Sequence, residues 1–154
     1  MNREERCTDG LVDLSSEQKH DIIHIVHLEV IVVVLKESGE MYLETVYILS
    51  HKKAFVRAID VCAELGYSKP SVSRAIGILR EGGYINVAED GGLSLTEAGL
   101  EVAERTYERH TVLTQMFIKL GVDKEIAEND ACKIEHVISS DTFDALKKHL
   151  NESM

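Results

Sequence analysis

The chain has 154 residues, enough for one domain or two small ones sharing a core, and 44% of them are hydrophobic, which excludes wholesale disorder. One proline and no tryptophan, with apolar runs alternating with Glu, Lys and Ala, suit a mostly helical protein. A net charge of −10 excludes a surface that is basic throughout and at first argues against nucleic acid.

The charge is uneven. The first 35 residues and the last third are acidic, whereas residues 36–95 are nearly balanced, with bases at Lys52, Lys53, Arg57, Lys69, Arg74 and Arg80. A local basic face on an acidic protein is compatible with DNA, and cation binding is one explanation of the acidic last third. Cys7, Cys62 and Cys132 are odd in number, widely spaced and follow no secretory signal, so a reduced, cytoplasmic setting is expected.

Residues 1–35 read as an N-terminal extension. A charged segment leads into the apolar run Ile22–Leu35, which His24, His27 and Glu29 interrupt, making it too short and too broken for a membrane span. Its Val/Ile content suits a strand as well as a helix. His20, His24 and His27 would form a ligand row on a helix, but no Cys, Asp or Glu completes a set and the run is β-branched, so a packing role is preferred. An N-terminal arm and a start-site artefact both fit.

From Lys36 the signals sharpen. Ser38 is read as the cap of a helix through Ser50, with Tyr42, Leu43, Val46, Tyr47 and Leu49 as its apolar stripe. Arg57–Leu65 reads as a short helix with Ile59, Val61, Cys62 and Leu65 at core spacing. Gly66 permits a tight turn with positive φ. Ser68 caps the next helix, Pro70 lies in its first turn, and Gly82-Gly83 stops it after about Glu81. Tyr84–Val87 and Leu93–Leu95 read as strands joined through Asp90-Gly91, a strong hairpin signal. Thr96 caps a long helix to about Leu120, and two more are expected over about Lys124–Ser139 and Asp141–Leu150, the last capped by Ser140 or Asp141.

Helix, tight turn, capped helix and hairpin is the order of a winged helix-turn-helix, here residues 36–95. The first turn of its second helix would enter the major groove of double-stranded DNA. Its candidate DNA-contacting residues are Ser68, Lys69, Pro70, Ser71, Ser73 and Arg74. Arg74 suits a bidentate pair to guanine, Lys69 a phosphate, and Pro70 a thymine methyl. Ser68 would be needed as a cap in any case, but small polar side chains along one exposed helix face are hard to explain by packing.

Residues 96–154 carry the second constellation. Glu128, Cys132, Glu135 and His136 fall at i, i+4, i+7 and i+8, on one face of a helix. Thiolate, carboxylate and imidazole together suit Fe²⁺ or Zn²⁺ better than Mg²⁺ or Ca²⁺. One helix cannot close a coordination shell, so His110, Met41 and Glu44 are candidates to complete it. A solvated polar face with a small core cysteine is the plainer reading of the same spacing.

The motifs Glu40-Met41-Tyr42-Leu43-Glu44-Thr45-Val46-Tyr47, Ser68-Lys69-Pro70-Ser71-Val72-Ser73, Leu95-Thr96-Glu97-Ala98-Gly99, Glu108-Arg109-His110 and Asp130-Ala131-Cys132-Lys133-Ile134-Glu135-His136-Val137 occur in that order. Across them, from Lys36 to about Leu150, the chain resembles the diphtheria-toxin-repressor family of iron- and manganese-dependent transcriptional repressors. The resemblance implies a mainly α protein: a winged helix-turn-helix, then an α-helical metal-binding and dimerisation domain, in a two-domain form without the SH3-like domain of some members. It places the DNA-binding helix on Ser68, Pro70, Ser71 and Arg74. It places metal ligands on Met41, Cys132, Glu135 and His136, with His110 in a neighbouring or shared site and Glu44 added in the manganese branch.

The pattern is a hybrid. Met41 and Cys132 look like the iron branch and Glu44 like the manganese branch, while Thr114 and Glu128 stand where an ancillary acid and a histidine are found in iron members. One metal or two stays open. Thiolate and thioether favour Fe²⁺ over Mn²⁺. The expected partners are a palindromic DNA operator and a second copy of the chain, with no membrane. The expected function is metal-dependent repression of metal-homeostasis genes, and no enzyme is expected, since no phosphate loop or nucleophile–base pair is evident. The rival reading is a winged-helix regulator answering a redox or organic effector through Cys132.

Overall fold

The computed structural model describes residues 37–152, so the Val/Ile run with its histidine row, and Cys7, lie outside the described residues. Helix α1 covers residues 37–52, α2 Ala58–Leu65 and α3 Lys69–Glu81. Strands β1 (Ile85–Val87) and β2 (Leu93–Leu95) form an antiparallel hairpin, pairing Ile85 with Leu95 and Val87 with Leu93. Helices α4 (Glu97–Lys119), α5 (Lys124–Ile134) and α6 (Ser140–Glu152) complete the chain. This is a mainly α architecture with a winged helix-turn-helix first and a helical unit after it.

In α1, Tyr42, Leu43, Val46 and Leu49 recur on one face and are buried. They meet Val61 of α2, Val72, Ile76 and Leu79 of α3, and Ile85 and Leu93 of the hairpin in one cluster. Gly66 takes φ 68° between α2 and α3, a conformation that costs glycine little. Ser68 Oγ then accepts from the Ser71 N–H at 3.4 Å, capping α3. The wing is tied back where the Leu93 N–H donates to the Val56 carbonyl at 2.8 Å.

Thr96 joins the wing to α4. Its Oγ1 accepts from the Gly99 N–H at 3.1 Å and its hydroxyl donates to the Gly83 carbonyl at 2.7 Å. Gly99 lies so close to the strand entry that a Cβ there would sit 2.0 Å from the Tyr84 carbonyl oxygen. Ala103 of α4 belongs to the first cluster. Further along α4, Val112 and Met116 form a second cluster with Phe143 and Leu150 of α6.

Four local expectations change. Ser38 lies within α1 rather than capping it, since residue 37 is already helical. Ile59 is 51% exposed, because α2 is short and presents only Val61 fully to the core. Tyr84 stays outside the hairpin: its carbonyl accepts from the Thr96 N–H at 3.0 Å, at the junction with α4. The helix expected to reach Ser139 ends at Ile134, and α6 begins at Ser140 with Ser139 Oγ accepting from the Thr142 N–H at 3.3 Å.

The early end of α5 has an identifiable cause. Arg109 of α4 donates to the carbonyls of Glu135 at 3.1 Å and Ile138 at 3.4 Å, and to Ser140 Oγ at 3.3 Å. The Glu135 carbonyl would otherwise accept the next helical bond. The N–H groups of Val137 and Ile138 both turn back to the Ile134 carbonyl at 3.0 Å, closing the helix.

Candidate metal centre and DNA-reading face

Three buried or half-buried side chains converge from three helices. Glu44 comes from the inner face of α1, His110 from the middle of α4 and Glu135 from the C-cap of α5. Each offers one ligand atom, and those atoms lie within 4.8 Å of one another. His110 Nδ1 is 2.8 Å from Glu135 Oε2. Glu135 is only 1% exposed and Glu44 7%, so both carboxylates are taken out of water.

Taking a carboxylate oxygen from water without a partner is costly. Glu44 Oε1 and Glu135 Oε1 are both buried without a hydrogen-bond donor. Glu135 Oε1 does lie 3.3 Å from His136 Nε2, a close approach that lacks hydrogen-bond alignment. Two orphaned carboxylate oxygens beside an imidazole are a donor set that fits a divalent cation, which would satisfy both.

The electrostatics agree. Burial, with the negative charge of Glu135 second, pushes the Glu44 carboxyl up to about 7. The hydrogen bond to Glu135 raises His110 against the opposing effect of burial, and the bond to Glu40 does the same for His136. Burial, then the charges of Glu135 and Glu44, raise the Cys132 thiol. The site therefore holds protons that a bound cation would displace.

The other expected ligands are placed differently. His136, in the turn after α5, packs beside the trio through Glu135. Cys132, in the last turn of α5, is exposed as a residue and stands outside the trio. Met41 Sδ accepts from the Tyr67 hydroxyl at 3.8 Å. Glu128 is on the surface, 3.7 Å from Lys124 Nζ. Thus Glu44, His110 and Glu135 come together with His136 adjacent, and Glu128 and Cys132 stand outside that trio.

Two contributors were not singled out from sequence. Glu40, one turn before Glu44 on α1, accepts from His136 Nδ1 at 3.0 Å and from Arg105 of α4 at 3.4 Å. Its i, i+4 relation to Glu44 was the available signal. Arg109, part of the Glu108-Arg109-His110 motif, fixes the turn that follows Glu135 through backbone carbonyls, a contact that spacing does not reveal.

In the winged helix-turn-helix, Ser68, Lys69, Pro70, Ser71, Ser73 and Arg74 are all exposed. Lys52 and Lys53 of the flanking basic group instead engage Glu64 at 3.2 Å and Asp60 at 2.5 Å. Among the described residues no helix is long and apolar enough to cross a membrane.

Comparison with known proteins meets this geometry from the other side. Residues 34–93 match the family described as the N-terminal DNA binding domain of the iron dependent repressors, and residues 96–153 match their metal binding and dimerisation domain. The transcriptional regulator MntR of Escherichia coli O6:H1 is 34% identical over 112 residues, covering 73% of this chain and 72% of that protein. The HTH-type transcriptional regulator MntR of Bacillus subtilis (strain 168) is 32% identical over 109 residues, covering 71% and 77%. The solved manganese regulator SloR superposes with a TM-score of 0.67 at 24% identity, over 73% of this chain and 53% of that one, a likeness of fold. The chain thus spans about half the length of that solved regulator. A reading helix on the surface, an acid-and-histidine centre between helices and these two matched segments have one common explanation: the chain belongs to the iron-dependent repressors, a family of metal-dependent, DNA-binding transcriptional regulators.

Proposed function

We propose that this chain is a dimeric repressor of metal-homeostasis genes whose operator binding is switched on by Mn²⁺ at Glu44, His110 and Glu135. The observation that carries it is the pair of buried oxygens on Glu44 and Glu135 that receive no hydrogen bond. Bound there, a divalent ion would supply the positive charge those oxygens lack. Glu44 sits on α1, within the core of the DNA-reading unit, whereas His110 and Glu135 sit on α4 and at the end of α5. Without a cation only a proton relieves the Glu44–Glu135 pair, and once it is lost the two carboxylates repel and α1 is held less tightly. Held together, they fix α1, and with it α3, against the helical unit. Metal and DNA affinities are then coupled reciprocally, typically by ~1–3 kcal/mol.

A preference for Fe²⁺ needs the thiolate of Cys132 and the thioether of Met41 as ligands. The converging donors are two carboxylates and an imidazole, a harder set that suits Mn²⁺ at least as well. His136 is a further ligand on this reading. Ser68, Lys69, Pro70, Ser71, Ser73 and Arg74 form the reading face, and a two-fold dimer would present two such faces to a palindromic operator. The redox alternative gains nothing, because the Cys132 thiol is held above its ordinary range, the reverse of a reactive thiolate.

The test begins with duplexes selected from random DNA in the presence of Mn²⁺, followed by anisotropy titrations in Mn²⁺, anaerobic Fe²⁺ and chelator. Mn²⁺ should tighten binding about 5–150-fold over chelator, and Glu44→Ala should abolish that gain. Equal binding in metal and chelator would overturn the proposal, and a larger gain with Fe²⁺ than with Mn²⁺ would overturn the choice of ion.

A further inference from the structure

We infer that Glu40 is a positioning residue for this centre: it orients the His136 ring and selects which nitrogen is free to bind metal. The inference rests on the proposed metal site and adds a residue to it. His136 Nδ1 is 3.0 Å from Glu40 Oε2, while Nε2 lies 3.3 Å from Glu135 Oε1, an oxygen that receives no hydrogen bond. Both ring nitrogens face carboxylates, which only accept, but only Nδ1 is aligned for a hydrogen bond, so the neutral ring keeps its proton on Nδ1. The neutral ring then carries its lone pair on Nε2, on the side of Glu135. Both side chains are nearly enclosed, His136 at 10% and Glu40 at 12% exposure, so water competes little for this bond.

Glu40 is itself held. Its other oxygen, Oε1, lies 3.4 Å from the Arg105 guanidinium. The chain Arg105–Glu40–His136–Glu135–His110 therefore runs from α4 to α1, to the end of α5 and back to α4. Glu40 and Glu44 stand one turn apart on α1, so one helix supplies both a direct ligand and the acid that aims a second. A carboxylate behind a metal-binding imidazole fixes its tautomer and raises its basicity, and its loss typically weakens metal affinity about 10–100-fold.

The test has a readout that needs no metal. In metal-free protein with ¹⁵N-histidine, long-range ¹H–¹⁵N correlation at a pH where the ring is neutral should show His136 as the Nδ1–H tautomer. Glu40→Gln, whose side-chain oxygen can still accept, should keep it. Glu40→Ala should revert to the usual Nε2–H form. Calorimetric titration with Mn²⁺ should then show Glu40→Ala weaker by about 10–100-fold, with Glu40→Gln recovering most of that loss. Glu40→Leu, which keeps the bulk, carries the same expectation should Glu40→Ala not fold.

An unchanged tautomer in Glu40→Ala, unchanged Mn²⁺ affinity, or Glu40→Gln no better than Glu40→Ala would each overturn the inference. Glu44→Ala separates the two levels. If Glu44→Ala loses Mn²⁺ while Glu40→Ala does not, the metal site stands and the role of Glu40 falls. If the unsubstituted protein binds no Mn²⁺, both fall.

Discussion

Glu44 is a carboxylate that folding drives toward its neutral form, from the ordinary 4.5 to about 7. The folded state then binds more protons than the unfolded chain between those values, so stability falls as pH rises through the window. His110 and His136, both raised, act in the same direction from 6.5 upward. Metal-free protein should therefore lose stability from pH 4.5 to 7, and Glu44 alone accounts for about 2–3 kcal/mol of the loss. Urea titrations of metal-free protein at pH 5 and pH 8 check this against Glu44→Gln, which removes the charge. The variant should be the more stable protein at pH 8 by about that amount and should show a flatter pH dependence. A wild-type stability that climbs with pH relative to Glu44→Gln would contradict the burial argument. Protons and metal compete for the same oxygens, so Mn²⁺ affinity should rise over the same pH range.

Among the elements, α4 does the joining. Its first turn is pinned to the wing by Thr96, and Gly99 lets the helix backbone approach the Tyr84 carbonyl. Its middle carries Arg105, Arg109 and His110, which meet Glu40, the end of α5 and Glu135 respectively. A methyl group at residue 99 would overlap backbone, which cannot give way as a flexible side chain can. Gly99→Ala should cost on the order of 3 kcal/mol or more, despite alanine's better helix propensity, measured by thermal or urea unfolding. It should also loosen the contact between the wing and α4. A neutral or stabilising Gly99→Ala would mean that this close approach is not a feature of the folded protein.

Across the molecule, charge and shape divide the work. The reading unit is nearly neutral with its bases local and the helical unit is acidic, and the candidate centre takes one buried acid from each, Glu44 and Glu135. Arg74 and Lys69 both project from the first turns of α3, yet they should fail differently when removed. Arg74→Ala should cost about 1–3 kcal/mol and relax preference at one base position, whereas Lys69→Ala should weaken all sequences alike and lower the salt slope by about one. Anisotropy titrations on the selected duplex and its single-base variants, at several salt concentrations, distinguish these. A salt slope unchanged in Lys69→Ala would remove that residue from the backbone contacts.

Much of this architecture was written locally. Ser68, Thr96, Gly66 and the Asp90-Gly91 turn act within a few residues of themselves, and they delivered α3, α4, the α2–α3 turn and the hairpin where expected. The segment from Cys132 to His136 stands out by residue type, but the single helical face that its spacing predicts is not formed, since α5 ends at Ile134 with Glu135 as its C-cap. Local spacing could not foresee where α5 stops, since that depends on Arg109 reaching from another helix for the Glu135 carbonyl. Nor could it rank the candidate ligands. Cys132 looked the equal of Glu135 in one dimension, but Glu135 is the one buried between α1 and α4 beside Glu44 and His110. Glu40 passed unmarked for the same reason: its partner, His136, lies 96 residues away. Sequence alone determined which elements form and which residue types could hold a cation or read DNA, because caps, turns and helical periodicity are short-range physics. Only the tertiary structure decided which of those side chains share one buried space, because the enclosure that makes an unpaired carboxylate costly is built from helices far apart in the chain.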